Sequence, residues 1–270
     1  MVDWLVAAVV GLVQGLLEWI PVSSEGSVAL ALTALDADPS AATQFALFLH
    51  AGTGVAATVY YRDVLADVLA DVPNWYPSTA FDSETADLTF FALATAVSVV
   101  VGFTGYLALE ELVSAVAGGA FVALIGALLV GTGILMRTAE SRAHATRGQP
   151  DLVDAVLVGA LQGVAVLPGV SRSGTTVSAL LLRGHEGGES LRLSFVLSIP
   201  AAFGAGLLVV LDDGLPAIDP STAAVALVVS GVVGYLTVDA LTRVVERVAF
   251  WKVCVGFGAL AVVGGGLLVL

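Results

Sequence analysis

Apolar residues run along this chain in long unbroken stretches, separated by short polar segments. Six stretches are long enough to span a bilayer, about 40–61, 88–109, 116–136, 192–211, 221–242 and 250–270. Two more, 4–34 and 152–183, are apolar but broken in the middle, at Pro21-Val-Ser-Ser-Glu-Gly-Ser27 and Pro168-Gly-Val-Ser-Arg-Ser-Gly-Thr175. Each half is too short to cross alone. Pro and Gly end a helix, and unpaired backbone at membrane depth survives only inside protein or beside water. The pattern predicts two re-entrant helix–loop–helix hairpins, with two kinked spanning helices as the alternative. The fold class is therefore an all-α polytopic membrane protein of six spanning helices and two re-entrant hairpins, in a single domain over 1–270.

Cation placement supports that topology. If both hairpins return to their own side, 62–87, 137–151, 184–191 and 243–249 share one face. Arg62, Arg137, Arg142, Arg147, Arg183, Arg192, Arg243, Arg247 and Lys252 lie in or beside those segments. The opposite loops carry Asp36, Asp38, Glu110, Glu111, Asp212, Asp213 and Asp219 and no basic residue. Nine of ten cations on one face fit the positive-inside rule, with both termini outside. The start of the chain has no positive segment ahead of its apolar run, so the first helix is expected to stay rather than be cleaved.

The two broken segments also repeat one another. At an offset of 148, Gly11/Gly159, Gln14/Gln162, Gly15/Gly163, Val22/Val170, Ser23/Ser171 and Gly26/Gly174 are identical, and Ser27 faces Thr175. At an offset of 150, Phe45/Phe195, Leu47/Leu197 and Gly54/Gly204 match. Three crossings separate one hairpin from the next, so the halves enter from opposite faces. This predicts an inverted-topology repeat (about 1–136 and 150–270, joined by a cytoplasmic linker over 137–150) whose loops meet near the midplane.

Composition agrees: 58% of residues are hydrophobic, 12% are charged and mean hydropathy is +0.98. A soluble domain would carry roughly 25% charge. A β-barrel would alternate along ten-residue strands, which these runs do not. The net charge of −13, with Lys252 the single lysine, disfavours a nucleic-acid partner and suggests a halophilic archaeal source. One cysteine, Cys254, excludes an internal disulfide and reads as a small packing residue.

The charges kept at membrane depth carry the chemistry. Glu18, Glu25 and Arg172 sit in or beside the breaks. Uncompensated, three such groups would cost on the order of 8–10 kcal/mol. They must face each other, a cavity or a ligand. A bare salt bridge from Arg172 to Glu18 or Glu25 is the bland alternative. The second break gathers Ser171, Arg172, Ser173, Thr175 and Thr176, with Gly169 and Gly174 permitting tight backbone. A helix resuming near Gly174 offers free N–H groups and a positive dipole end, and an Arg fork adds bidentate phosphate recognition. The first break has a similar turn, Ser23 to Ser27. Together they describe a cradle for a phosphate or diphosphate, or else a hydroxyl-capped kink with no ligand. Gln14 and Glu18, at i and i+4, share a helix face and could hold magnesium or calcium beside phosphate oxygens. Ser23 or Ser24 could be a nucleophile or orient water; Glu25 is a second candidate acid or base.

Of three histidines, His144 and His185 fall in polar segments and are expected at the surface. His50 lies mid-helix in a polar notch with Gly52 and Thr53, where it could line the cavity or bond a neighbouring helix. Asp239 is expected to pair with Arg243 at i+4.

These residues resemble the undecaprenyl-diphosphatase (bacitracin-resistance) family. QGLLEWIPVSSEGS at 14–27 is similar to that family's Glu-Gly-x-x-Glu-Phe-x-Pro-Val-Ser-Ser-x-Gly-His. LPGVSRSGTT at 167–176 is similar to its Pro-Gly-x-Ser-Arg-Ser-Gly-x-Thr, and FLHAGT at 48–53 and LSFVLSIPAAFGA at 193–205 look like family segments. The resemblance implies hydrolysis of a polyprenyl diphosphate to the monophosphate, recycling the lipid carrier for cell-surface glycans. It also implies a site open to the outer face, a divalent metal, and site roles for Glu18, Ser23, Ser24, Ser171, Arg172, Ser173 and Thr176. Three positions depart: Gln14 stands for the family's first Glu, Ser27 for its His, and Glu25 precedes the Gly. Glu25 is expected to restore the carboxylate lost at Gln14.

The leading function is therefore a membrane phosphatase acting on an undecaprenyl- or dolichyl-type diphosphate, with the bilayer and that lipid as partners. The alternative is a polyprenyl-phosphate flippase on the same fold, since broken helices in inverted repeats are transporter architecture. A type-2 phosphatidic acid phosphatase is disfavoured, its motifs having no match. The sequence leaves a homodimer open.

Overall fold

The computed structural model describes residues 4–35, 37–115, 118–212, 219–245 and 247–269. Asp36 and Asp213 of the expected acidic face lie outside the described residues. So do the expected span ends at Val116, Ala117 and Leu270, and the first three residues.

Eleven α-helices are described, and no strand among the described residues. They are α1 (Trp4–Leu17), α2 (Ser24–Thr33), α3 (Pro39–Tyr60), α4 (Arg62–Ala70), α5 (Ala86–Ala115), α6 (Gly119–Arg142), α7 (Leu152–Val164), α8 (Arg172–Leu182), α9 (Gly187–Asp212), α10 (Pro220–Val245) and α11 (Phe250–Val269). Both expected breaks are present, between α1 and α2 and between α7 and α8.

Among the described residues, five helices are long and apolar enough to cross a membrane: α5, α6, α9, α10 and α11. Six were expected. The sixth segment forms α3, which has 22 residues but carries Gln44, His50, Thr53 and Thr58 along its length. That polarity belongs to a central helix: Thr53 is buried, and α3 packs against α2, α9 and α10. Several helices outrun their apolar cores, α6 to Arg142 and α9 back to Gly187, because polar ends beyond the apolar window still propagate the helix. The segment expected as a polar connection after residue 61 contains α4 and two short 3₁₀ turns.

The packing follows the sequence repeat. Adding 148 carries the start of α1 to that of α7, α2 to α8 and α3 to α9. Contacts correspond as well: α1 packs on α10 as α7 packs on α5, α2 on α3 as α8 on α9, and α3 meets α9. A Cβ on Gly11 would lie 2.4 Å from the Ala226 carbonyl oxygen, and one on Gly159 2.5 Å from that of Ala94. Both glycines are therefore needed for backbone contact between helices, as small residues are in membrane bundles. The core between the elements holds Val28, Phe45, Phe48, Leu49 and Ala226. Outward, Leu207, Val228, Leu236, Leu260 and Val263 are more than half exposed. Apolar side chains facing out all around the bundle suit a lipid solvent. This is a multi-pass membrane protein.

At the polar end of the second hairpin, Asp151 caps α7 and exchanges hydrogen bonds with Asp154 in a capping box. Arg183 donates from Nε to Asp154 and from its terminal nitrogen to Asp151, and Arg147 donates to Asp151. Burial alone would raise the Asp151 pKa, but hydrogen bonds from the Asp154 N–H and Arg147 outweigh it and hold the carboxyl below its ordinary range. His185, expected at the surface, is fully buried here, with Nε2 2.9 Å from Asp154 Oδ2. The buried carboxylate draws it in. His144 is exposed, Asp239 pairs with Arg243 at 2.7 Å, and Cys254 is buried in α11, as expected.

Candidate active site

The two breaks meet. Ser23 caps α2 and Ser171 caps α8, and each hydroxyl accepts the N–H three residues on, from Gly26 at 3.2 Å and Gly174 at 3.1 Å. Ser23 Oγ also accepts the N–H of Gly169 at 3.1 Å, joining one tip to the other. To do so Ser23 adopts φ +60°, the only positive φ at a non-glycine residue among those described. Such strain costs about 1–3 kcal/mol and is tolerated where surrounding bonds over-determine it. Gly169 is required at the facing tip: its φ is +99°, and a Cβ would sit 2.4 Å from the Ile125 carbonyl oxygen.

Glu18 is the hub. Its Oε2 accepts Ser24 Oγ at 2.8 Å and Gln14 Nε2 at 2.9 Å, and its Oε1 accepts Arg172 at 2.5 Å. His50 Nε2 stands 3.5 Å from Oε2, while its Nδ1 is 2.9 Å from the Ala46 carbonyl oxygen. A carbonyl only accepts, so Nδ1 carries a proton there. A small polar pocket is lined by Glu18, Ser23, Ser24, Glu25, His50, Ser171, Arg172 and Ser173. Two helices begin at this pocket, so first-turn N–H groups and the positive ends of both dipoles gather at it. The site can therefore attract an anion, grip it with a guanidinium, and present a hydroxyl whose proton a carboxylate already shares.

Four residues expected at the site, Ser27, Gly174, Thr175 and Thr176, stand behind it. Ser27 Oγ donates to the Ser23 carbonyl, and Thr175 Oγ1 to those of Ser171 and Arg172. Thr176 Oγ1 donates to the Arg172 carbonyl. These hydroxyls bond carbonyls of their own helices, one turn on from the caps, and do not line the polar pocket. Gly174 serves the Ser171 cap, and Gln14 holds Glu18 from α1. Sequence reasoning missed Thr132, whose hydroxyl accepts the Ser171 N–H at 3.3 Å, and Ser194, which contacts both Arg172 and Thr176. Thr132 carries no local signal, and Ser194 falls in the 193–205 segment that resembles the family but is not singled out there from its neighbours.

An apolar cleft of about 310 Å³ opens from the polar pocket and shares Glu25, His50, Ala165 and Arg172 with it. Val99, Phe103, Val166, Ala205 and Leu208 form much of its wall. A larger cavity of about 580 Å³ lies beyond the first turn of α8. It touches Ser173 and Gly174 but not Glu18, Ser24 or Arg172, and Glu140, Glu186 and Arg247 are among its lining residues.

Comparison with known proteins decides the family. Residues 7–262 match the family described as Bacitracin resistance protein BacA. The chain belongs to that family. It is 60% identical over 267 residues to an undecaprenyl-diphosphatase of Haloarcula marismortui, covering 98% of each chain. It is 37% identical over 262 residues to an undecaprenyl-diphosphatase of Methanococcoides burtonii, covering 95% of this chain and 96% of the relative. A Geobacter sulfurreducens protein of the same name is 35% identical over 256 residues, covering 92% of each. Membership through a halophilic archaeal branch fits the acidic, lysine-poor composition. This BacA family member carries a Ser-Ser pair at one helix break and a Ser-Arg-Ser turn at the other.

Proposed function

We propose that this protein is a membrane phosphatase that hydrolyses a polyprenyl diphosphate to the monophosphate and inorganic phosphate. That reaction recycles the lipid carrier used for cell-surface glycan synthesis. The names of its relatives supply the undecaprenyl class of substrate. The observation that carries the reading is the meeting of Ser24 and Arg172 on one carboxylate, Glu18, between two helix starts.

The prenyl tail lies in the apolar cleft, and the diphosphate reaches the polar pocket past Arg172. Arg172 forks onto phosphate oxygens in exchange for part of its bond to Glu18. Ser24 Oγ attacks the terminal phosphorus and gives its proton to Glu18. The Oγ–P bond forms, the bridging P–O bond breaks, and its electron pair leaves with the prenyl monophosphate. Water then cleaves the phosphoserine, releasing inorganic phosphate and restoring Ser24. Guanidinium and helix N-termini stabilise the charge of the transferring phosphoryl group.

A divalent cation, magnesium or calcium, completes this reading. Among the described residues no group of three His, Cys, Asp and Glu side chains could hold an ion unaided. Among the described residues, Gln14 Oε1 and Glu25 Oε1, like Gln162 Oε1 in the other half, are nonetheless buried without a hydrogen-bond partner. Hard oxygen donors of this kind suit such cations, whose remaining ligands would come from phosphate and water. Gln14, Glu18 and Glu25 would hold the ion, which when bound neutralises diphosphate charge.

The topology proposed with this function is six crossings with two re-entrant hairpins in an inverted repeat, both termini outside. The correspondence of α1–α3 with α7–α9 at one offset supports it. So does the length of α1, α2, α7 and α8, at 14, 10, 13 and 11 residues too short to span. Phosphate release from prenyl diphosphates by the purified protein, with and without magnesium or calcium, tests the activity. Lipid transfer across liposomes without phosphate release would instead identify a flippase.

A further inference from the structure

Ser194 lies in α9, fully buried, and lines neither the polar pocket nor the two larger cavities beside it. It nevertheless meets Arg172 by two routes. Its carbonyl oxygen accepts from Arg172 Nη1 at 3.5 Å, the long end of the hydrogen-bond range. Its hydroxyl is 2.7 Å from that of Thr176, which is 2.8 Å from the Arg172 carbonyl oxygen. The proton directions follow by elimination. The Arg172 carbonyl can only accept, so Thr176 donates to it, and Ser194 donates to Thr176. A chain of hydroxyls thus pins the Arg172 backbone, while the carbonyl of the same serine steadies the guanidinium.

We propose that Ser194 and Thr176 are positioning residues that aim Arg172 at the polar pocket. Arg172 is the first residue of α8, where the helix ladder holds the backbone least. Bidentate recognition of phosphate requires a guanidinium plane held in a fixed direction by its supporting shell. Glu18 holds one nitrogen, but an arriving diphosphate competes for that contact. The Ser194–Thr176 chain is anchored outside the pocket and remains in place when the anion arrives. Thr176 thereby acquires a role different from direct substrate contact. The inference rests on Arg172 being the diphosphate anchor.

The test uses the full chain in detergent, with methylene diphosphonate binding measured by calorimetry and phosphate release from a prenyl diphosphate measured in parallel. Ser194→Ala and Thr176→Val should each weaken binding and lower kcat/KM about tenfold, as expected for lost bonds supporting a charged group. Thr176→Ser, which keeps the hydroxyl, should stay within about twofold. In an Arg172→Lys background, Ser194→Ala should add less than about twofold, because the group it aims is gone. A similar loss with Lys at 172, or no loss with Arg172 intact, would overturn the proposal. If Ser194→Ala fails to fold, the contrast between Thr176→Val and Thr176→Ser decides. A wild type that binds the diphosphonate yet releases no phosphate removes the phosphatase reading and leaves this one standing.

Discussion

Glu18 and Arg172 are 154 residues apart in the chain and 2.5 Å apart in space. Each stands at a helix break, and each would be costly alone in a membrane interior. The pair therefore ties the two breaks together and concentrates the site's charge where an anion can enter. Glu18→Gln should leave the half-buried Arg172 without its counter-charge. Breaking such a pair costs about 3–5 kcal/mol. Thermal unfolding in detergent should show a clear fall in Tm, together with loss of phosphate release. Unchanged stability and turnover would mean that neither the tie nor the base is needed.

The adjacent serines separate by geometry. Ser24 Oγ donates to Glu18, whereas Ser23 Oγ accepts two backbone N–H groups and links the tips. Ser24→Ala should cut turnover by about a thousandfold or more with little effect on folding, as loss of an activated nucleophile does. Ser23→Ala should lower Tm by disturbing both tips while keeping a measurable rate. Phosphate release and unfolding of the two variants, followed side by side, check the assignment; the reverse pattern would exchange the roles.

Much of this site is legible in the sequence, and the reason is physical. Charges and hydroxyls at a Pro/Gly break in an apolar run have few places to go, so Glu18, Glu25, Arg172, Ser23, Ser24 and Ser171 stand out. Their depth in the fold follows from the repeat. What residue identity does not reveal is which way a helix turns each hydroxyl. Ser27 shares a motif with Ser24, and Thr175 and Thr176 share one with Arg172, but all three bond their own helices. Ser194 lies in the family-like segment 193–205 but is not marked out within it, because its importance comes from α9 crossing α8. His185 reads as a surface residue from its polar neighbours, yet Asp154 buries it. On α3, Thr53, one of the polar residues that weaken the spanning signal, is buried within the protein.

Glu25 provides a chemical test of the cation. Its Oε1 is buried and unpartnered, as is Gln14 Oε1. Glu25→Gln should reduce hydrolysis strongly and also weaken binding of Mn²⁺ used as a spectroscopic stand-in for magnesium. Chelation of divalent ions should depress wild-type activity, with recovery on adding magnesium or calcium. Wild-type rates and unaltered Mn²⁺ binding in Glu25→Gln would move the cation away from this carboxylate.

The base of the second hairpin should respond to acid. Asp151 titrates below its ordinary range in the folded protein, owing to its hydrogen bonds from the Asp154 N–H and Arg147. A carboxyl with a depressed folded pKa contributes stability above the unfolded value, about 3.9, and loses it as pH falls through the folded one. Wild-type Tm should therefore drop below about pH 4 more steeply than that of Asp151→Asn, which lacks the titrating group. Parallel curves would show that Asp151 contributes nothing to acid sensitivity.

The most direct measurement is phosphate released per polyprenyl diphosphate by purified wild type and Arg172→Ala in the same detergent. Wild type should release one phosphate for each lipid monophosphate formed, and Arg172→Ala should fall by about a hundredfold or more, the scale set by losing a group that stabilises transition-state charge. Undiminished release by Arg172→Ala would contradict a diphosphate site built where the two helix breaks meet.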